Sequence, residues 1–171
     1  MLFQFDCSTP LGLMRGVVDD TYLFFLEFVD QKDIEKQICV LEKELHQKIV
    51  VGHNALSALV VKELDAYFAG TLQYFSVPIW LMGSEFYKKS WNYLLTISYG
   101  KTHTYKQQAA SVANEDACRA VAKANSKNII AIIVPCHRII RTDGTLSGYA
   151  GGVYRKQWLL DHEQKNKREL E

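Results

Sequence analysis

The chain has 171 residues, 48% of them hydrophobic and 23% charged, with a formal net charge of +1. That is enough apolar material for one domain or two small ones, and no run approaches the roughly 20 apolar residues a membrane helix requires. Cys7, Cys39, Cys118 and Cys136 have neither the density of a disulfide scaffold nor zinc-ligand spacing. Met1 to Asp6 places no basic stretch before its apolar part, unlike a secretory signal, so a reduced cytoplasmic protein is expected.

The near-zero net charge hides an asymmetry. Met1–Ser84 carries 6 basic and 11 acidic residues, a balance of −5, whereas Glu85–Glu171 carries 14 and 8, a balance of +6. A basic half beside an acidic one suggests that the second half alone faces a polyanion.

In chain order, Leu2–Asp6, Gly12–Val18 and Tyr22–Phe28 read as short strands separated by the turn signals Ser8-Thr9-Pro10 and Asp19-Asp20, a spacing that suits an antiparallel meander. Ile34, Ile38, Leu41 and Leu45 recur at helical spacing within Asp33–Gln47. Asn54 can cap a second helix through Phe68, and Gly70 can stop it. His46 and His53 share no metal-like spacing with a cysteine or carboxylate and read as surface or capping residues. Val77-Pro78 and Gly83-Ser84 mark a linker, dividing the chain into residues 1–82 and 83–171.

Ser84 can cap a helix that turns Phe86, Trp91, Leu94 and Leu95 inward, followed by a turn at Ser98–Thr102. Thr104–Ala110 starts a short helix that breaks at Val112–Glu115, and Asp116–Asn125 forms another. On the latter, Ala117, Ala120, Val121 and Ala124 make the packed side, with Arg119 and Lys123 exposed. Two short helices joined by a tight turn are a helix-turn-helix, whose second helix can lie in a DNA groove, although such pairs are also common in cores.

The apolar run Ile129–Val134 leads into Pro135-Cys136-His137-Arg138, and Gly148-Tyr149-Ala150-Gly151-Gly152 follows. A cysteine beside a histidine is either a packed thiol or an activated nucleophile. The second needs a base or positive charge and a group to orient the base; His137, Arg138 and Glu163 are of the right types.

Pro135–Ile140, Gly148–Gly152, Trp158-Leu159-Leu160 and Glu163, in this order and spacing, resemble the O6-alkylguanine-DNA alkyltransferases, the methylated-DNA–protein-cysteine methyltransferases, over about Phe86–Glu163. Ala117-Cys118-Arg119-Ala120-Val121 falls on that family's recognition-helix signature. The resemblance implies an α+β fold: a ribonuclease H-like N-terminal part with a small antiparallel sheet and helices, and a mostly helical winged-helix, helix-turn-helix C-terminal domain.

For function it implies irreversible transfer of a methyl or larger alkyl group from O6-alkylguanine, with some action on O4-alkylthymine, to Cys136 after the base is flipped out of double-stranded DNA. The implied base is His137, acting through a water and oriented by Glu163, with Tyr105 rotating the 3′ phosphate and hydrogen-bonding the departing guanine. Arg119 would push the damaged base out, Lys106 and Asn114 would contact the DNA backbone, and Asn128 would form the hinge. Tyr149 would line the base pocket, where the Ala150 amide and the Ile139 carbonyl would read the guanine.

The DNA would be met through its minor groove by a monomer that uses no metal or cofactor. It would sit in the cytoplasm, or in the nucleus of a eukaryote. Ile129, Ala122 and Ser98 stand where many relatives have proline, glycine and proline. Two other readings are a non-catalytic binder of alkylated DNA, which would lack Cys136, and a Cys-His thiol hydrolase, which would leave the helix-turn-helix without a purpose. Trp158 and Leu159 are expected in the core, and Cys39 and Cys118 are expected to be structural.

Overall fold

The computed structural model describes residues 1–149 and 151–168. The chain forms two compact units, Met1–Trp80 and Leu81–Glu171, in a mixed α+β fold. No helix among the described residues is long and apolar enough to cross a membrane.

In the first unit, β1 (Leu2–Thr9) and β2 (Gly12–Val18) pair antiparallel from Phe3↔Val18 to Thr9↔Gly12. The turn is fixed by the Thr9 hydroxyl, which donates to the Gly12 carbonyl at 2.7 Å. β3 (Leu23–Phe28) continues the meander against β2, and all six of its residues are buried. The expected antiparallel sheet needs one correction. β4 (Ile49–Val51) joins the far edge parallel to β1, giving a mixed sheet of order β3-β2-β1-β4. Three residues are too few to show a period-two pattern, and the crossover through α1 (Ile34–Leu45) supplies the parallel direction.

Ile34, Ile38 and Leu41 form the buried stripe of α1. α2 (Ala55–Phe68) lies on β1 and β2 and buries Leu56, Val60, Leu64 and Tyr67. Its start is set by the expected Asn54, whose side chain accepts from Ser57 N while the Ser57 hydroxyl accepts from Asn54 N. The Glu63 carboxylate then takes the Ser76 and Val77 amides, at 2.8 and 3.0 Å, and pins the segment beyond the helix.

The second unit carries the motifs. α3 (Glu85–Leu94) is capped by Ser84 and buries Trp91 and Leu94, but Leu95, expected inward, lies past the helix end and is 43% exposed. β5 (His103–Thr104) leads directly into α4 (Tyr105–Val112), which Thr104 and Gln107 cap reciprocally. A 3₁₀ turn at Glu115–Ala117 precedes α5 (Cys118–Ser126), so the expected single helix from Asp116 is split. α5 packs through Val121, Ala124 and Asn125. Ala120, expected on the packed side, is exposed beside Arg119, because only the narrower arc of Val121, Ala124 and Asn125 faces the core.

Ala109, Val112 and Val121 join α4 to α5 in a small apolar cluster. Next to it, buried Gln108 and Asn125 exchange two amide hydrogen bonds of 2.9 and 2.8 Å. β6 (Ile139–Ile140) pairs parallel with β5, and α6 (Val153–Asn166) closes the unit with Leu159 buried and Trp158 only half-buried, stacked on His162.

The amide pair sets the spacing between the helices that carry Tyr105 and Arg119. Asn125→Ala leaves the buried Gln108 Oε1 without its partner, while Nε2 keeps the Ser90 carbonyl at 3.3 Å, and urea unfolding is expected to show a loss of about 2 kcal/mol. Changing both residues to leucine should cost less than the single change.

Candidate active site

The segment from Asn128 to Arg138 is shaped by burial rather than by regular hydrogen bonding. Ile130, Ala131, Ile132, Ile133 and Val134 are all buried, and successive tight turns join Ile133 N to Ala131 O and Val134 N to Ile130 O. Ile132 takes φ = +71°, a conformation that a β-branched residue adopts only when its surroundings impose it. Asn128, buried itself, accepts from Ile130 N at 2.9 Å and donates from Nδ2 to the Val134 carbonyl at 2.9 Å. The same Nδ2 lies 3.4 Å from the Cys136 sulfur. One amide therefore ties the start of the segment to its reactive end.

Cys136, His137 and Arg138 form a single 3₁₀ turn. Cys136 is half-buried and opens onto a cleft of about 650 Å³, which is also lined by Tyr105, Arg119, Arg141, Ser147 and Tyr149. His137 turns the other way and is fully buried. Its Nε2 meets Glu163 Oε2 at 2.7 Å, and its Nδ1 has no hydrogen-bond partner among the described residues. Glu163 is 1% exposed. It receives Arg138 in a two-pronged pair, Nε to Oε1 at 2.7 Å and Nη2 to Oε2 at 3.0 Å, while Arg138 Nη1 donates to the Ile97 carbonyl.

These contacts set the charges. Burial pushes the His137 imidazole below its ordinary pKa against the pull of Glu163, and Arg138 and Lys156 push the same way, so the ring rests neutral. For Glu163, burial works upward but is outweighed by His137 and then Arg138, which hold the carboxyl far below the usual carboxylate range. Burial raises the Tyr105 phenol, which stays protonated; its hydroxyl is hydrogen-bonded to that of Ser147.

The residues expected at the site do not all converge. Tyr105, Arg119, Cys136 and Tyr149 share the cleft, Asn128 touches the sulfur, and His137 and Glu163 back it. Ile139 is buried in β6, opposite His103. Lys106 and Asn114 are not among the residues lining the cleft; Lys106 faces Glu115 at 3.9 Å, and the Asn114 side chain caps the turn at Asp116. Ala150 lies outside the described residues. Among the described residues, no group of three or more His, Cys, Asp or Glu could hold a metal ion. Cys39 is exposed, and Cys118, expected to be structural, lines the cleft.

Sequence reasoning missed Lys156. It is 1% exposed, its Nζ lies 5.9 Å from the centre of the Tyr105 ring, and burial lowers its pKa, partly offset by the charge of Cys136. Its position on α6, seven residues before Glu163, is the one signal that could have found it.

A half-buried cysteine at the mouth of a cleft, beside an exposed helix arginine and backed by a buried His-Glu pair, defines a thiol nucleophile built to meet a large partner. The model of the 6-O-methylguanine DNA methyltransferase DNA-binding domain matches residues 85–165, which hold this whole constellation. A methylated-DNA–protein-cysteine methyltransferase of Mycobacterium leprae is 50% identical over 157 residues, 92% of this chain and 89% of that one. The Shigella flexneri protein of the same name is 36% identical over 95% of both chains.

Among solved structures, Mycobacterium tuberculosis O6-methylguanine methyltransferase superposes with a TM-score of 0.83 at 35% identity, over 98% of this chain and 96% of that one. M. tuberculosis OGT in complex with DNA gives 0.82 at 35%, over 96% and 94%. The chain belongs to the methylated-DNA–protein-cysteine methyltransferase family. The resemblance carried by Pro135–Arg138 is thereby borne out.

The buried pair makes stability depend on pH in a definite direction. The folded state keeps His137 neutral, whereas the unfolded chain binds a proton there below about pH 6.5, so stability present above that pH is lost as pH falls. Glu163 adds a second loss below about pH 4.3, because it stays ionised in the folded state. Urea titrations across this range should show both declines. Glu163→Gln should remove the lower one and cost about 3 kcal/mol at neutral pH by leaving Arg138 buried and unpaired.

Proposed function

We propose that this chain repairs alkylated double-stranded DNA by moving the alkyl group of O6-alkylguanine, and of O4-alkylthymine, irreversibly onto Cys136. The observation that carries the reading is the shared cleft: the Cys136 sulfur, the exposed Arg119 of α5 and the Tyr105 hydroxyl all open onto it. The named relatives and the DNA-bound neighbour support the same activity.

The O6 position of a paired guanine lies inside the duplex, so the nucleotide must leave the stack before a fixed sulfur can reach it. Arg119 fills the gap from the minor-groove side. There, exposed Ala120 beside it lets the helix come close, and the degenerate pattern of donors and acceptors suits a search for damage in any sequence. Tyr105 engages the 3′ phosphate, and Lys106 and Asn114 the flanking backbone. Tyr149, the Ile139 carbonyl and the Ala150 amide hold the extruded base, with Asn128 as the hinge between helix and nucleophile.

The Cys136 proton passes through a water to His137 Nδ1, while Nε2–H stays on Glu163. Lys156 adds positive charge: a thiolate favours the charged lysine, and the coupling is mutual. The thiolate attacks the alkyl carbon, the carbon–O6 bond breaks, and the guanine leaves with a proton helped by the Tyr105 hydroxyl. A thioether remains that no group in the cleft can hydrolyse, so each chain acts once.

On this reading residues 1–82 are a ribonuclease H-like structural domain. Residues 83–171 are a winged-helix domain that does the chemistry, working as a cytoplasmic or nuclear monomer without metal or cofactor. A non-catalytic binder is disfavoured by Cys136 itself.

Cys136→Ala should keep its affinity for an alkylated duplex and transfer no label from it; residual transfer would assign the chemistry elsewhere. Arg119→Ala should slow repair of duplex by at least about tenfold more than reaction with a free base analogue, because extrusion costs a few kcal/mol. Equal slowing would remove Arg119 from the extrusion step.

A further inference from the structure

The proposed function leaves one face of α5 without a duty. Successive residues of a helix are turned by about 100°, and on α5 this sorts the side chains into three faces. Val121, Ala124 and Asn125 turn toward the core. Cys118, Arg119, Ala122 and Ser126 turn toward the cleft that holds Cys136. Ala120, Lys123 and Lys127, spaced three and four residues apart, share a third face about a third of a turn beyond the cleft face. All three are exposed, and none lines the cleft. Arg119 stands at the boundary between this face and the cleft. Neither lysine makes an ion pair among the described residues. Asp116, an exposed acid, lies in the 3₁₀ turn before α5, at the opposite end of the helix from Lys127.

Resting on the proposed function, we propose that Lys123 and Lys127 hold phosphates of the strand opposite the lesion. The minor groove is about 6 Å wide and a helix with its side chains about 10 Å across, so a helix laid there meets both phosphate backbones. Arg119 is the side chain that enters the stack. The strand with the damaged nucleotide therefore lies over the cleft face, and its complement passes on the other side of Arg119. The exposed cations there are lysines, point charges that suit a phosphate in any sequence. Ala120 keeps the surface beside them low, so the backbone can come close. A lesion in single-stranded DNA would use the cleft face alone. Cations also suit a helix C-terminus, a duty that shows in stability and not in binding.

The test measures binding and single-turnover methyl transfer on an O6-methylguanine duplex and on its lesion strand alone, for the native chain and a double variant, Lys123→Gln with Lys127→Gln. At about 0.1 M salt the double variant should bind the duplex about tenfold more weakly, and its slope of log affinity against log salt should be shallower by about 2. Binding and transfer on the single strand should stay within about twofold of native. Neutral methylphosphonate linkages in the complementary strand should weaken the native chain and leave the double variant unchanged, whereas in the lesion strand they should weaken both. Equal weakening on duplex and single strand would overturn the inference. So would an unchanged duplex affinity, whether or not stability falls, the mark of lysines that only complement the helix end. Absence of methyl transfer by the native chain from either substrate would instead overturn the proposed function, and this inference with it.

Discussion

The second unit depends on one carboxylate taken out of water. Glu163 stands on α6, and its two oxygens are shared between His137 and Arg138, both from the turn that carries Cys136. A lone buried carboxylate would cost several kcal/mol in desolvation, and here a two-pronged guanidinium and an imidazole offset that cost. Because Arg138 also reaches the Ile97 carbonyl and lies 5.7 Å from the centre of the Tyr99 ring, the same group fixes the turn against the segment before β5. The sulfur therefore projects from a turn that these buried contacts hold in place.

Above that anchor, conformational strain and packing hold one another in place. Ile132 occupies a left-handed backbone conformation that costs on the order of 1–2 kcal/mol. The surrounding buried isoleucines and the Asn128 amide make any alternative worse. Asn128, two residues past the end of α5, links this strained segment to the sulfur itself. Residues 125–136 run from the helix bearing Arg119 to the nucleophile, and nearly every side chain in the span is half-buried or buried.

Much of this was legible in the chain, and the exceptions have physical reasons. The meander, the caps at Asn54, Ser84 and Thr104, and the Pro-Cys-His-Arg turn are local: each is fixed by residues within a few positions, so their types and spacing suffice. β4 was not legible, because three apolar residues between helices carry no period and acquire a strand only by pairing with β1. The Gln108–Asn125 pair joins amides seventeen residues apart, and no local signal marks either as buried.

The side that Ala120 takes is not legible, because alanine fits a packed face and an exposed one equally and the buried arc of α5 is confined to Val121, Ala124 and Asn125. Lys156 was overlooked because lysine is almost never fully buried. That rarity is also why it is informative: burial lowers its pKa, and the charge of Cys136 draws it part of the way back.

The central claim is that one sulfur, at Cys136, takes one alkyl group and ends the working life of the chain. Intact mass after incubation with excess O6-methylguanine duplex, followed by mapping of the modified peptide, tests it most directly. The expected result is a single methyl per chain, carried on Cys136, and repair that stops when the chains are exhausted. Repair of more lesions than there are chains, or a methyl group found on any other residue, would contradict it.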